Sequence, residues 1–384
     1  DSSASRLRFG AAYAPLVGLK TEFSGLGTFN GAFVPQPIGG VTPIADMFEV
    51  YERTNREPHP PSSGPGFGAP ASSAGPAPSA LRIEASLMPP GVVPGAPSGE
   101  VVLERLGTPL LVSGCSPQSL RDLQTLFEPY GFQMAASGAA GGAMAGQTLD
   151  PAEVTGGYAL AIPIVTGDMD LSGVGTVTWR KGDKLVAFGH PMFQEGAVDL
   201  PMAAAVIHCV FPSSVRPFKL SSPLNTIGMV RQDRLAAIGG VVGMTSQPAP
   251  VAVDVTLPGG VRRPFRYQCL FHRALFPQIL MVLVRESIGE PSNARGPLSV
   301  SMDYRAELSD GTVIARRGAW SGLGTAAMGP AAMISRDAAE LIENPFKEIA
   351  YRRVDASVTV AETAAQYKIL CLRATQPVYR PGET

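Results

Sequence analysis

The chain has 384 residues, of which 45% are hydrophobic and only 16% charged, with a formal net charge of −1. This length allows two or three domains, and this apolar content allows large buried cores. No basic cluster stands out, so the sequence gives no support to nucleic-acid binding. The 43 glycines and 36 prolines point to short strands, many turns and stretches of linker. The longest apolar run, residues 274–284 with Pro277 inside it, is too short to cross a bilayer.

Residues 1–54 carry short apolar runs broken by glycines. Thr42 followed by Pro43 predicts a helix start, a capping residue and then proline in the first turn. Residues 55–80 are a Pro/Ser/Gly/Ala-rich linker that holds His59, a solvated residue. Residues 81–134 read as a small α/β segment. In it, Ser116 is the expected N-cap and Pro117 the first residue of an amphipathic helix with a Leu120, Leu123, Leu126, Phe127 stripe. A flexible Gly/Ala stretch covers 135–150.

From 151 to 320 the pattern is strand after strand. "TVTW-RKGD-KLVAF" predicts a hairpin with Lys181-Gly182-Asp183 as its turn. "PQILMVLVRESI" fits a helix or a buried strand equally. Many short strands with Gly-rich turns predict a mainly β fold, an antiparallel barrel or sandwich. Residues 321–384 add a helix over "ISRDAAELIENPF" and two alternating strands, "RVDASVTVAE" and "AQYKILCLRA". The chain opens on "DSSASRLRFGAAYAP" without an initiator Met and closes on a turn, "VYRPGET". Both ends read as cut from a longer precursor, so a missing signal peptide carries no information.

Four histidines bound the acid–base chemistry. His190, where an apolar strand meets a Gly-His-Pro turn, is the candidate general base, because imidazole titrates near neutral pH; the alternative is a turn histidine bonded to backbone. His208 and His272 fall in apolar strand-like text and read as structural. Asp199 is a candidate orienting acid, nine residues past His190. Asp233 is a second candidate carboxylate, or else an ion-pair partner of Arg231 and Arg234. Ser24 and Ser321 sit in identical "SGLG" strings and are fallback nucleophiles that read as loop residues, since neither is in G-x-S-x-G. "IGGVVG" (238–243) lacks the Lys-Ser/Thr of a phosphate loop, so its glycines are expected to serve strand bends or close packing. Cys115, Cys209, Cys269 and Cys371 form no C-x-x-C pair. They allow disulfides in an exported chain or buried free thiols, and no zinc site or other cofactor is expected.

The run "GDMDLSGVGTVTWRKGDKLVAFGHPMFQEGAVDLPMAAAVIHCVF", with "GMVRQDRLAAIGGVVG" after it, resembles the SpoIVB-type (stage IV sporulation protein B-like) serine peptidases. "PIGGVTPIADM" and "VVLERLGTPLLVSG" are similar to further segments of longer exported bacterial members. The resemblance covers most of 35–260. It implies a trypsin-like antiparallel β-barrel core with a few peripheral helices and a small α/β insertion. It also implies that His190 is the catalytic histidine of an endopeptidase acting on polypeptides. Family members carry their serine in a G-M-S-G-S-P-type motif, which this sequence lacks. Because "RFGAAYAP" is similar to the strand that follows that motif, the nucleophile is expected upstream of residue 1. The alternative is a catalytically inactive pseudopeptidase that serves a cell-envelope assembly through protein partners. Either form is expected in the periplasm or outside the cell.

Overall fold

A computed structural model describes residues 42, 44–56, 80–84, 100–104, 108–137, 147–211, 218–292, 297–323, 326 and 328–363. Sequences that alternate apolar and polar residues become strands, and the fold is mainly β. Strand β13 (Pro297–Leu308) shows the rule plainly. Leu298, Val300, Met302, Tyr304, Ala306 and Leu308 are buried, and the residues between them are not.

Strands β1 (Ala80–Glu84) and β2 (Glu100–Glu104) form a separate antiparallel pair. The other thirteen belong to one sheet. Six of them are linked in a cycle of antiparallel pairings: β5 (Ala159–Gly167), β8 (Gly196–Phe211), β9 (Phe218–Arg234), β10 (Ala237–Val242), β7 (Lys184–Ala187) and β6 (Asp170–Lys181), which pairs again with β5. Leu160, Ile162, Leu171, Leu185, Leu200, Val230 and Ile238 from these strands share one buried cluster. The expected hairpin is present, but its turn is one residue shorter than expected: Lys181 stays in the ladder opposite Lys184, and Gly182 takes the left-handed conformation that the remaining two-residue turn needs.

Two additions flank the six strands. On one side β3 (Thr108–Ser113) pairs with β6, and β4 (Phe132–Ala136) runs parallel to β3. Helix α2 (Pro117–Phe127) makes the crossover, capped by Ser116 as expected. On the other side lie β12 (Arg262–Cys269), β11 (Ala249–Thr256), β15 (Tyr351–Ala361), β13 and β14 (Val313–Leu323). Helices α3 (Phe276–Ser292) and α4 (Met328–Ile342) pack together over them.

The ambiguous segment 277–288 is thus helix, with Pro277 in the first turn where its missing N–H costs nothing. Buried Glu286 from this helix accepts hydrogen bonds from the Ser116 N–H at 2.8 Å, the Ser116 hydroxyl at 2.7 Å and the Ser119 hydroxyl. A carboxylate therefore sits on the positive N-terminus of α2.

Three expectations need correcting. The late helix runs from Met328 to Ile342, earlier at both ends than expected, because Pro330 and Ala331 extend its buried face before Ile334. Ser321 is a strand residue of β14, not a loop residue; its Oγ accepts from the Ser299 hydroxyl at 3.1 Å on the neighbouring strand. Of the cysteines, Cys269 is buried, Cys115 half-buried and Cys209 exposed, all three as free thiols. Ser24, His59, Cys371, most of the 55–80 linker, the middle of the 135–150 stretch and the strand expected near 370 lie outside the described residues.

Helix α1 (Ile44–Arg56) follows Thr42 as the sequence predicts and lies on β10 and β7. Met47 and Val50 pack with Val186, Ala236 and Ala237, and Trp179 meets Phe48 and Tyr51 edge-on. The helix approaches closely at Gly239, where an added Cβ would stand 2.2 Å from the Thr54 hydroxyl. Replacing Gly239 by Ala is therefore expected to cost about 1–3 kcal/mol by forcing α1 off the strand. The denaturant midpoint of the variant against the parent chain measures it.

Candidate functional site

Strand β7 buries Leu185, Val186 and Ala187 and then stops. Phe188 and Gly189 both take left-handed conformations, with φ of 74° and 75°. Glycine does this freely, whereas Phe188 is strained by about 1–2 kcal/mol. Packing holds Phe188 in place: its ring lies on Gly175, where a Cβ would come within 2.3 Å of it. Its N–H bonds the Thr176 carbonyl at 3.0 Å. The Gly189 carbonyl accepts the Thr42 hydroxyl at 2.6 Å, which ties the turn to the start of α1.

This double reversal sends His190 inward, where only 8% of it is exposed. Its ring lies tilted against Phe188, with centroids 5.4 Å apart. Nδ1 stands 2.8 Å from the Pro191 carbonyl oxygen. A carbonyl can only accept, so Nδ1 carries the proton and the neutral ring leaves its lone pair on Nε2. Burial lowers the imidazole pKa below its ordinary value, and the bond to Pro191 offsets part of that.

The chain after His190 is fixed from below by Asp233 on β9, which is 0% exposed. Its Oδ1 accepts the Met192 N–H at 2.7 Å, and its Oδ2 accepts those of Phe193 at 2.6 Å and Gln194 at 2.9 Å. Burial pushes this carboxyl up, the three N–H donors pull it down, nearby Glu195 raises it again, and the net result is about 6. Asp233 is thus a backbone clamp and not an ion-pair partner of its neighbours. Arg231 pairs with Asp199 across the β8–β9 ladder, and Arg234 donates to Gln232 at 2.8 Å. The candidate acid Asp199 is therefore engaged by a buried arginine, while the described hydrogen bond of the His190 ring goes to a carbonyl.

Sequence reasoning overlooked the next contact. His272, 1% exposed, bonds Glu195 through Nε2 at 3.0 Å and lies tilted against Phe193. Its Nδ1 accepts the Leu275 N–H at 3.3 Å, so Nε2 is the donor. Both nitrogens are occupied, and the residue joins the His190 segment to the turn before α3. It belongs to that turn and not to a strand as expected, because Leu275 and Phe276 already bond back to its carbonyl. His208 is on a strand as expected but is exposed, since a bulge between Ile207 and Cys209 turns it out. Its Nε2 stands 2.9 Å from the Ser222 hydroxyl. Ser321 lies at the far edge of the sheet order from these residues. Among the described residues no group of three or more His, Cys, Asp or Glu side chains is placed to hold a metal.

No family model matches the chain, and no curated protein matches it.

Replacing Asp233 by Ala strips three backbone donors of their acceptor, with an expected loss of about 3 kcal/mol. A carboxyl raised from 3.8 to about 6 contributes stability fully below the lower value and loses it as pH rises through the upper one. The gap between variant and parent in urea titrations should therefore narrow from pH 4 to pH 7. The histidine resonances offer a second check. His190 is expected to titrate below the ordinary 6.5. Its signal in carbon-13-labelled protein should stay neutral at a pH where an ordinary imidazole is already protonating.

Proposed function

We propose that the chain is the histidine-bearing portion of a SpoIVB-like serine endopeptidase of the bacterial envelope. His190 is the general base, and the serine comes from a segment upstream of residue 1. The observation that carries this reading is the tautomer. With Nδ1–H given to the Pro191 carbonyl, Nε2 is the free basic nitrogen, the one that takes a proton from a serine hydroxyl in acyl transfer. In such sites a carboxylate usually orients the imidazole; here a backbone carbonyl supplies the orientation without the charge. The lowered pKa keeps the ring neutral and so competent as a base at neutral pH. The cycle of six antiparallel strands supports the reading of a trypsin-like barrel. The polypeptide substrate would be attacked at its carbonyl, and the histidine would return the proton to the leaving amine.

One observation favours the second reading, an inactive interaction module. Asp199 is taken by Arg231, so no described carboxylate stabilises an imidazolium at His190. A peptidase without that stabilisation would be slow.

A fluorophosphonate probe separates the two. On the protein extended upstream of residue 1, labelling should occur and fall at least about a hundredfold in His190→Ala, the usual scale for loss of a general base. Equal labelling of both would remove His190 from the chemistry. No labelling of the extended parent protein, with its fold intact, would favour the interaction module.

A further inference from the structure

A cleft of about 400 Å³ opens where β5 parts from β8. The two strands pair only at Leu160–Ala204 and Ala161–Ala203. Continued by two residues, that register sets Pro163 opposite Pro201. Neither has an N–H to give, so the ladder ends there. Both prolines line the cleft, with Pro223, Leu270, Gln268 and Asn225.

Asp170 is the single charged residue among those lining this cleft. It is partly buried, and its Oδ1 accepts one long hydrogen bond, from the Gly167 N–H at 3.3 Å. Burial raises its pKa, and no described cation offsets that burial. A carboxylate partly withdrawn from water with no described counter-ion carries a desolvation cost, and an arriving cation recovers part of it. A divalent metal would want several oxygen ligands carrying more than one charge. The cleft instead offers one carboxylate, with neutral amide and hydroxyl residues such as Gln268, Asn225 and Thr166 and a wall of proline rings, which suits a single positive charge that donates hydrogen bonds and is carried on an apolar stem.

We propose that this cleft binds a primary ammonium group on an alkyl chain, with Asp170 as its counter-ion. A lysine side chain of a peptide and a free alkyl diamine share that chemistry. The proposal is independent of any catalytic role for His190.

Titration calorimetry of the 384-residue chain tests it, with N-acetyl-lysine methylamide, the norleucine counterpart, cadaverine and calcium chloride as probes. At least one amine should bind at least about tenfold more tightly than the norleucine compound. Tighter binding of the lysine compound identifies a peptide ligand, and tighter binding of cadaverine a free amine. Asp170→Asn keeps an oxygen for the Gly167 N–H and removes only the charge; it should weaken amine binding about tenfold with an unchanged melting temperature. Asp168→Asn, two residues away on an exposed turn position outside the cleft, should leave binding within about twofold. The proposal is overturned by equal binding of norleucine, by equal loss in both variants, by no effect of Asp170→Asn, by calcium displacing the amine, or by no binding up to about 10 mM.

Discussion

Three backbone N–H groups of residues 192–194 converge on the Asp233 carboxylate, and the geometry around His190 depends on that convergence. A buried carboxylate with three donors is a strong restraint, because breaking any one bond leaves a charged group under-satisfied in a medium that cannot hydrate it. The restraint acts on backbone, so it sets where the chain runs regardless of side chain. Phe188, Gly189 and Gln194, all at positive φ, bracket the segment it holds. Strain of that kind persists only where the surroundings over-determine the conformation. Here they do so from β6 through Gly175, from β9 through Asp233 and from the turn before α3 through His272.

The surrounding sheet explains why Asp233 can be so deep. Strand β9 has β8 on one side and β10 on the other, so Asp233 pairs with both Gly196 and Ile238. Its own backbone is satisfied by the ladders, and its side chain is left to serve the neighbouring turn. The bulges along β8 and β9 serve a related end. They turn Asp199 towards Arg231 and His208 outward, redirecting side chains that strict alternation would place elsewhere.

Much of this was legible in the sequence. Local signals with a direct physical cause held: Ser116 and Pro117 at a helix start, Thr42 before α1, Gly182 in the turn between β6 and β7, and the alternation of β13. The glycines of 238–243 were expected to serve bends or packing, and Gly239 lies under α1 at a bulge. What did not show was long-range pairing of polar groups. Asp233 flanked by Arg231 and Arg234 looks like an ion-pair partner until the fold sends Arg231 to Asp199 and brings three amides from 40 residues away. Glu195 and His272 are 77 residues apart, and no spacing in the chain announces their contact. A polar residue inside an inward-facing strand position, such as the aspartate in "VRQDRLAAI", was the available signal.

The bond from the Thr42 hydroxyl to the Gly189 carbonyl has a thermodynamic consequence. It makes the docking of α1 and the ordering of the histidine turn two linked equilibria. Linkage is reciprocal: whatever free energy the seated helix lends to the turn, the formed turn returns to the helix. Among the described residues, Thr42 before the helix therefore acts on the turn through its hydroxyl. The imidazole, more than 140 positions later in the chain, responds to how firmly that first helical turn is anchored.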